Sequence, residues 1–243
     1  MSPAIEGRGL AVAYGARQVF ADVDLGLERG RLTALVGPNG AGKSSLLRVL
    51  AGIQRPQSGE VVRTTRAALI ATSLALPPDV TPAQLSSYVL ALRRPWWRLS
   101  PSRTERDAAA AALERAGLLD RADDAAATLS AGEIQRAWIA AALAADAGAL
   151  LIDEPTTHLD LRYQLEALRM LKTLARSGVA VLAAIHDLTL AARFADTVAL
   201  LAGGALEHGR PEDVFEPVTL TRAFGVEVAT HRDPEGYVVC TPR

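Results

Sequence analysis

The chain has one cysteine, Cys240, in 243 residues. A single thiol makes no internal disulfide, and the expectation is a reducing compartment. Charge of one sign is not in excess either: 26 Lys and Arg stand against 27 Asp and Glu. A nucleic-acid binder usually carries a basic surplus, which argues against DNA or RNA as the main partner. Although 49% of the residues are hydrophobic, the longest apolar runs, 137–145 and 178–185, fall well short of the roughly 20 residues that span a bilayer. No charged-then-apolar leader opens the sequence, and there is no repeat or low-complexity linker. These absences lead to the expectation of a cytoplasmic protein that reaches a membrane only by docking on a partner.

What the chain does have is a glycine-rich turn between a strand and a helix. The apolar residues 32–36 stop at Gly37, and Gly37, Pro38, Asn39, Gly40, Ala41, Gly42, Lys43 and Ser44 complete the pattern G-x-x-x-x-G-K-[ST]. Ser45 and a helical run over 46–51 follow. Strand, glycine loop, helix is the context that a phosphate loop requires. The glycines let successive N–H groups curl inward toward phosphate oxygens. The N-terminus of the next helix adds partial positive charge. Lys43 can reach the β- and γ-phosphates, and the Ser44 hydroxyl can ligate Mg²⁺. A chance glycine turn is the bland alternative, and the filled positions with both flanks correct argue against it. The expectation is a nucleoside-triphosphate site.

Residues 5–27 are β-like and punctuated by Gly7, Gly9, Gly15 and Gly26. Tyr14 ends the first strand-like run. It either stacks on an adenine ring or is an ordinary half-buried strand residue, and spacing alone favours the second. Short strands are expected over 60–63 and 67–71, then helices over 82–94 and 102–116, the latter stopped by Gly117. Helices between β-rich flanks suggest a helical lobe inserted into an α/β core. Between those helices, Arg93-Arg-Pro-Trp-Trp-Arg98 either touches lipid headgroups or a membrane partner, or is a solvated turn.

Ser130 and Glu133 read as a capping box opening a helix that runs to about residue 145. Beyond capping, Ser130 and the free N–H groups near Gly132 could form an anion site. Residues 149–155 are a buried-strand run that ends in Asp153 and Glu154. Ligand groups collect at the carboxyl ends of such strands. Asp153 there can hold Mg²⁺, and Glu154 can accept a proton from an attacking water. A purely structural acidic pair is the alternative. A helix over 161–176 and a second buried strand over 178–185 follow. That strand ends at His186, which could contact a γ-phosphate, although a lone histidine is more often structural. Strands over 197–201 and 205–208, short helices over 211–215 and 218–224, and a hairpin over 226–230 and 237–241 complete the reading.

Taken in order, residues 37–44, Leu129-Ser-Ala-Gly-Glu133, Leu150-Leu-Ile-Asp-Glu-Pro155, Asp160 and His186 resemble the nucleotide-binding subunit of an ABC transporter. The Leu-Ser-x-Gly-(Gln/Glu) signature separates that family from other phosphate-loop ATPases. The resemblance implies an α/β fold with a phosphate-loop, RecA-like core, an N-terminal antiparallel β subdomain, and a helical subdomain over about 73–145. Residues 1–243 would form a single ABC ATP-binding domain. It also implies that Tyr14 is the adenine-stacking aromatic, Glu154, His186 and Lys43 the catalytic set, and Ser44 and Asp153 the Mg²⁺ ligands. Ser130 and Gly132 would close over ATP held by a second copy, with Glu133 of the signature beside them, and Asp160 would be the dimer-contact aspartate of that nucleotide site. The implied partners are a homodimer mate, a transmembrane permease and, indirectly, a periplasmic or lipoprotein substrate-binding protein. The subunit would then sit on the inner face of the cell membrane.

Residues 155–164 and 186–196 are more narrowly similar to importer ATPases for iron–siderophore complexes, haem and cobalamin. One departure from the family stands out. No glutamine occurs between Gln57 and Gln84, where the family has one that contacts the metal and the attacking water. Thr72 or Ser73 takes its place. The signature also has Ala131 where glycine is usual. An ABC importer ATPase for another substrate class, a soluble ABC-type ATPase acting on ribosomes or DNA, and a regulator without useful turnover are the rival readings. Intact Asp153, Glu154 and His186 argue against the last.

Overall fold

Alternating burial makes the first strands. β1 (Ile5–Tyr14) and β2 (Arg17–Leu27) form an antiparallel hairpin in the computed structural model, which describes residues 2–71, 75–92, 100–157 and 159–243. Thr72 and Ser73, and the tryptophan-containing loop over 93–98, lie outside the described residues. Tyr14 pairs with Arg17 across a turn at Gly15, whose φ of 60° suits glycine. β3 (Leu32–Val36) is buried at every position, as an apolar strand covered on both faces must be. α1 (Lys43–Ala51) begins after the left-handed Gly42 and ends at the left-handed Gly52, and it buries Leu46, Leu47, Val49 and Leu50. β4 (Ser58–Arg63) then pairs with the free edge of β1, giving a three-stranded antiparallel sheet.

β5 (Arg66–Ala71) enters a second sheet, after which the chain turns helical. α2 (Pro82–Ala91), α3 (Arg103–Arg115) and α4 (Ala131–Ala144) each open on a complete capping box, at Thr81, Ser102 and Ser130. In each, a side-chain oxygen and a backbone N–H are satisfied reciprocally at the helix start. The three helices pack around Leu85, Leu113, Leu118, Ala137, Ala140 and Ala141. The helical lobe thus lies between β5 and β6 (Ala147–Asp153) in sequence.

α5 (Leu161–Arg176), β7 (Ala180–Ala184), α6 (Leu188–Phe194), β8 (Thr197–Ala202) and β9 (Ala205–Gly209) complete the core. Two short helices, α7 (Pro211–Val214) and α8 (Pro217–Phe224), lead to a separate hairpin of β10 (Val228–Arg232) and β11 (Val238–Pro242). The larger sheet has the order β5-β6-β7-β3-β8-β9 and is parallel except for the β8–β9 pair. Successive residues of β6 serve opposite faces. Leu150 and Ile152 belong to the same core cluster as Leu168 and Leu171 of α5, while Ala149 and Leu151 belong to the cluster of Leu46 and Leu50 of α1. Because β6, β7 and β3 are adjacent and parallel, their carboxyl ends open on one edge of the sheet. Asp153, His186 and the glycine loop all follow those ends.

Candidate nucleotide site

The loop after β3 is held open by residues that tolerate no side chain. Gly37 has φ 148°, and a Cβ there would stand 2.1 Å from the Leu201 carbonyl oxygen. Gly42 has φ 105°, and a Cβ there would meet Val19. Lys43 follows and is only 7% exposed. Its Nζ donates to the carbonyls of Gly37 at 2.7 Å and Pro38 at 3.1 Å. Burial pushes the lysine pKa down, and the negative charges of Glu154 and Asp153 oppose that push. The cation therefore sits between loop carbonyls and two carboxylates. A cleft of about 370 Å³ adjoins it, lined by Tyr14, Arg17, Asn39, Gly40, Lys43, Ser44, Ser45 and Glu154 among others. Gly37, Pro38, Ala41, Asp153 and His186 are not on that wall.

Glu154 is held by its backbone and by both carboxylate oxygens. Its φ is 55°, uncommon for a residue with a side chain. One carboxylate oxygen lies 2.8 Å from His186 Nε2, and the other accepts a hydrogen bond from Thr157 Oγ1 at 2.9 Å. The His186 contact is the main cause of a carboxyl pKa below the ordinary range, which burial partly offsets. The two residues come from the ends of neighbouring strands, β6 and β7. Tyr14 closes the cleft on another side. It is 51% exposed, with its hydroxyl 3.0 Å from both Ser45 Oγ and Gln54 Oε1.

Ser130 lies elsewhere. It caps α4, accepting from the Glu133 backbone N–H at 3.3 Å, while Glu133 Oε2 accepts from both the N–H and the hydroxyl of Ser130 at 2.8 Å. Glu133 is also paired with Arg121 at 3.1 Å. The Ser130 N–H bond is the largest cause of a lowered Glu133 pKa. Ser130, Ala131 and Gly132 line a second cleft of about 630 Å³, together with Leu159 and Asp160. Asp160 caps α5 by accepting from the Tyr163 N–H at 3.1 Å. The structure thus brings Ser130, Gly132 and Asp160 together, and it keeps them off the wall of the phosphate-loop cleft.

The family model described as "ABC transporter" matches residues 20–157. The chain is 33% identical to the petrobactin import ATP-binding protein of Bacillus anthracis, over 100% of this chain and 94% of that one. It is 36% identical to a hemin import ATP-binding protein of Rhodopseudomonas palustris, over 100% and 96%. This chain belongs to the ABC transporter ATP-binding proteins. It binds and hydrolyses ATP. Its fold superposes with TM-score 0.88 on a solved chain of a transporter described as metal-chelate type, at 25% identity and covering 99% of this chain and 97% of that one.

Two residues at the site of this ABC ATPase, Thr157 and Gln54, are not among those that the sequence singles out. Thr157 is bonded to the proposed base, and the only hint was its position three residues after Glu154. Gln54 meets Tyr14 from 40 residues away, and nothing in the sequence marks it. As for a metal, no group of three or more His, Cys, Asp or Glu among the described residues could hold one alone. The Ser44 hydroxyl and the Asp153 carboxylate are both hard oxygen donors. They suit Mg²⁺, which takes few protein ligands and completes its shell with phosphate and water.

Proposed function

We propose that this ATPase powers an importer of a metal chelate: an iron–siderophore complex, haem or cobalamin. The observation that carries the reading is the motif set over 155–164 and 186–196. Relatives named for petrobactin and hemin import match the chain over nearly their whole lengths. The whole of 1–243 acts as one cassette at the inner face of the membrane. Its helical lobe docks on a permease, and a substrate-binding protein delivers cargo from the other side.

In the proposed site, Lys43 and the loop N–H groups bind the β- and γ-phosphates, and Tyr14 stacks on the adenine. Ser44 and Asp153 would hold Mg²⁺, which neutralises phosphate charge when bound. Glu154 takes the proton of the attacking water. His186 leaves the carboxylate for the γ-phosphate, which frees an oxygen of Glu154 for that proton. Ser130, Gly132 and Asp160 serve the ATP of a second copy. The two reciprocal contacts make an isologous dimer with two nucleotides. ATP binding closes the pair and hydrolysis reopens it, and the permease converts that cycle into transport. The test is mass spectrometry of what co-purifies with the chain from detergent-solubilised membranes. A polytopic permease, with loss of metal-chelate uptake on gene deletion, is the expected result. Co-purification with ribosomes, or impaired sugar or amino-acid uptake with chelate uptake intact, would overturn it.

A further inference from the structure

The Tyr14 hydroxyl is anchored at two points, and the anchors define a direction. It donates to Gln54 Oε1 at 3.0 Å and stands 3.0 Å from Ser45 Oγ. A phenol has one proton. With that proton on Gln54, the Ser45 hydroxyl supplies the proton for the other bond, and the chain runs Ser45 to Tyr14 to Gln54. It ties together the end of β1, the first turn of α1 and the segment just after α1. The Gln54 backbone is tied to the end of α1, since its N–H donates to the Arg48 carbonyl at 3.2 Å. Gln54 is partly buried, whereas Tyr14 is half open and lines the phosphate-loop cleft.

An aromatic ring binds a flat ligand best when its own plane is already set. A ring free to rotate loses side-chain entropy on binding, and an anchored one has lost it beforehand. Tyr14 rises from a strand end beside a turn, and its hydroxyl bonds hold the far edge of the ring. We infer that Gln54 is a positioning residue for the nucleobase: through the Tyr14 hydroxyl it sets the ring on which a purine stacks. The inference rests on the reading of Tyr14 as the adenine platform. It gives the hydroxyl a purpose that phenylalanine could not serve, and it assigns a role to a residue outside every motif of the chain.

The test measures binding of ATP and of inorganic tripolyphosphate to the full chain by calorimetry, with steady-state ATPase kinetics alongside. Tripolyphosphate has no base to stack and reports the phosphate loop alone. Gln54→Leu should weaken ATP about three- to tenfold, the net worth of one neutral hydrogen bond. It should raise KM by a similar factor, leave kcat unchanged and leave tripolyphosphate affinity unchanged. In a Tyr14→Phe background the same change should have no further effect, because the hydroxyl through which it acts is gone. Equal weakening of both ligands would mean that the loop is distorted and would overturn the inference. So would an undiminished effect in the Tyr14→Phe background. Tyr14→Ala separates the two levels. If it leaves ATP affinity intact, the platform reading fails and takes the inference with it. If it weakens ATP while Gln54→Leu does not, the platform stands and only the role of Gln54 falls.

Discussion

The two clefts of this chain are built in opposite ways. The phosphate-loop cleft draws on residues from Tyr14 to Glu154, and its charged groups are each held by neighbours: Lys43 by loop carbonyls, Glu154 by His186 and Thr157. The signature cleft is lined by the starts of α4 and α5, each capped by its own residues, and also by the C-terminal end of α3 and the body of α5. The first depends on strand order, and the second on the packing of three helices, with only its caps set by local helix chemistry. The difference fits a division of labour in which one cleft performs chemistry and the other presents a preformed surface to a second copy. To meet an anion the Ser130 hydroxyl has only to turn from Glu133, its neighbour in the same helix turn, whereas Glu154 must be released by a histidine from another strand end.

Substitutions on the two sides should therefore fail differently. The largest effect is expected at Glu154→Gln: ATP binding retained and hydrolysis lower by about two to four orders of magnitude, the scale of general-base catalysis. Phosphate release measures it, and near-normal turnover would move the base elsewhere. On the signature side, Ser130→Arg should leave ATP binding by the isolated monomer unchanged but cut turnover by roughly two to three orders, comparable to losing a key oxyanion donor. A fully active Ser130→Arg enzyme would reduce the motif to a helix cap.

A smaller effect is expected at Thr157→Val, which removes one hydrogen bond to Glu154 while keeping shape. We expect kcat to fall about three- to tenfold with KM for ATP unchanged, and Thr157→Ser to restore it. The smallest concerns Glu133→Gln. The Ser130 N–H, the Ser130 hydroxyl and the charge of Arg121 hold the folded-state pKa of Glu133 down. The ionised carboxylate therefore stabilises the fold above its unfolded pKa, and that stability is lost as pH falls through the lower folded value. Denaturation should show the variant less stable by roughly 0.5 kcal/mol at neutral pH, the size of a charge at a helix N-terminus. The gap should close below about pH 4, the ordinary carboxylate range.

What could be read from the sequence follows the same division. The glycine loop, the capping box at Ser130 and the buried strands ending at Asp153 and His186 are local patterns, and each is placed by its own neighbours in the chain. The strand over 178–185 is shorter in the structure, Ala180–Ala184, because Gly178 takes φ 98° and turns the chain into it. The contact between Glu154 and His186 could not be read from spacing, because it requires β6 and β7 to be neighbours. Tyr14 was ambiguous for a similar reason. Strand periodicity points to half burial, but the hairpin carries the residue out to the cleft mouth, where Ser45 and Gln54 hold its hydroxyl. Gln54 itself leaves no trace in the sequence, since an amide in a turn has no pattern until its partner arrives from the end of β1, 40 residues away.

The central claim is that the two clefts are halves of one site that two copies complete. Size-exclusion chromatography with light scattering on the Glu154→Gln protein tests it most directly. A dimer that forms on adding ATP, dissociates when ATP is removed and fails to form once Ser130→Arg is added is the expected result. A Glu154→Gln protein that binds ATP yet stays monomeric, or an ATP-dependent dimer indifferent to Ser130→Arg, would contradict it.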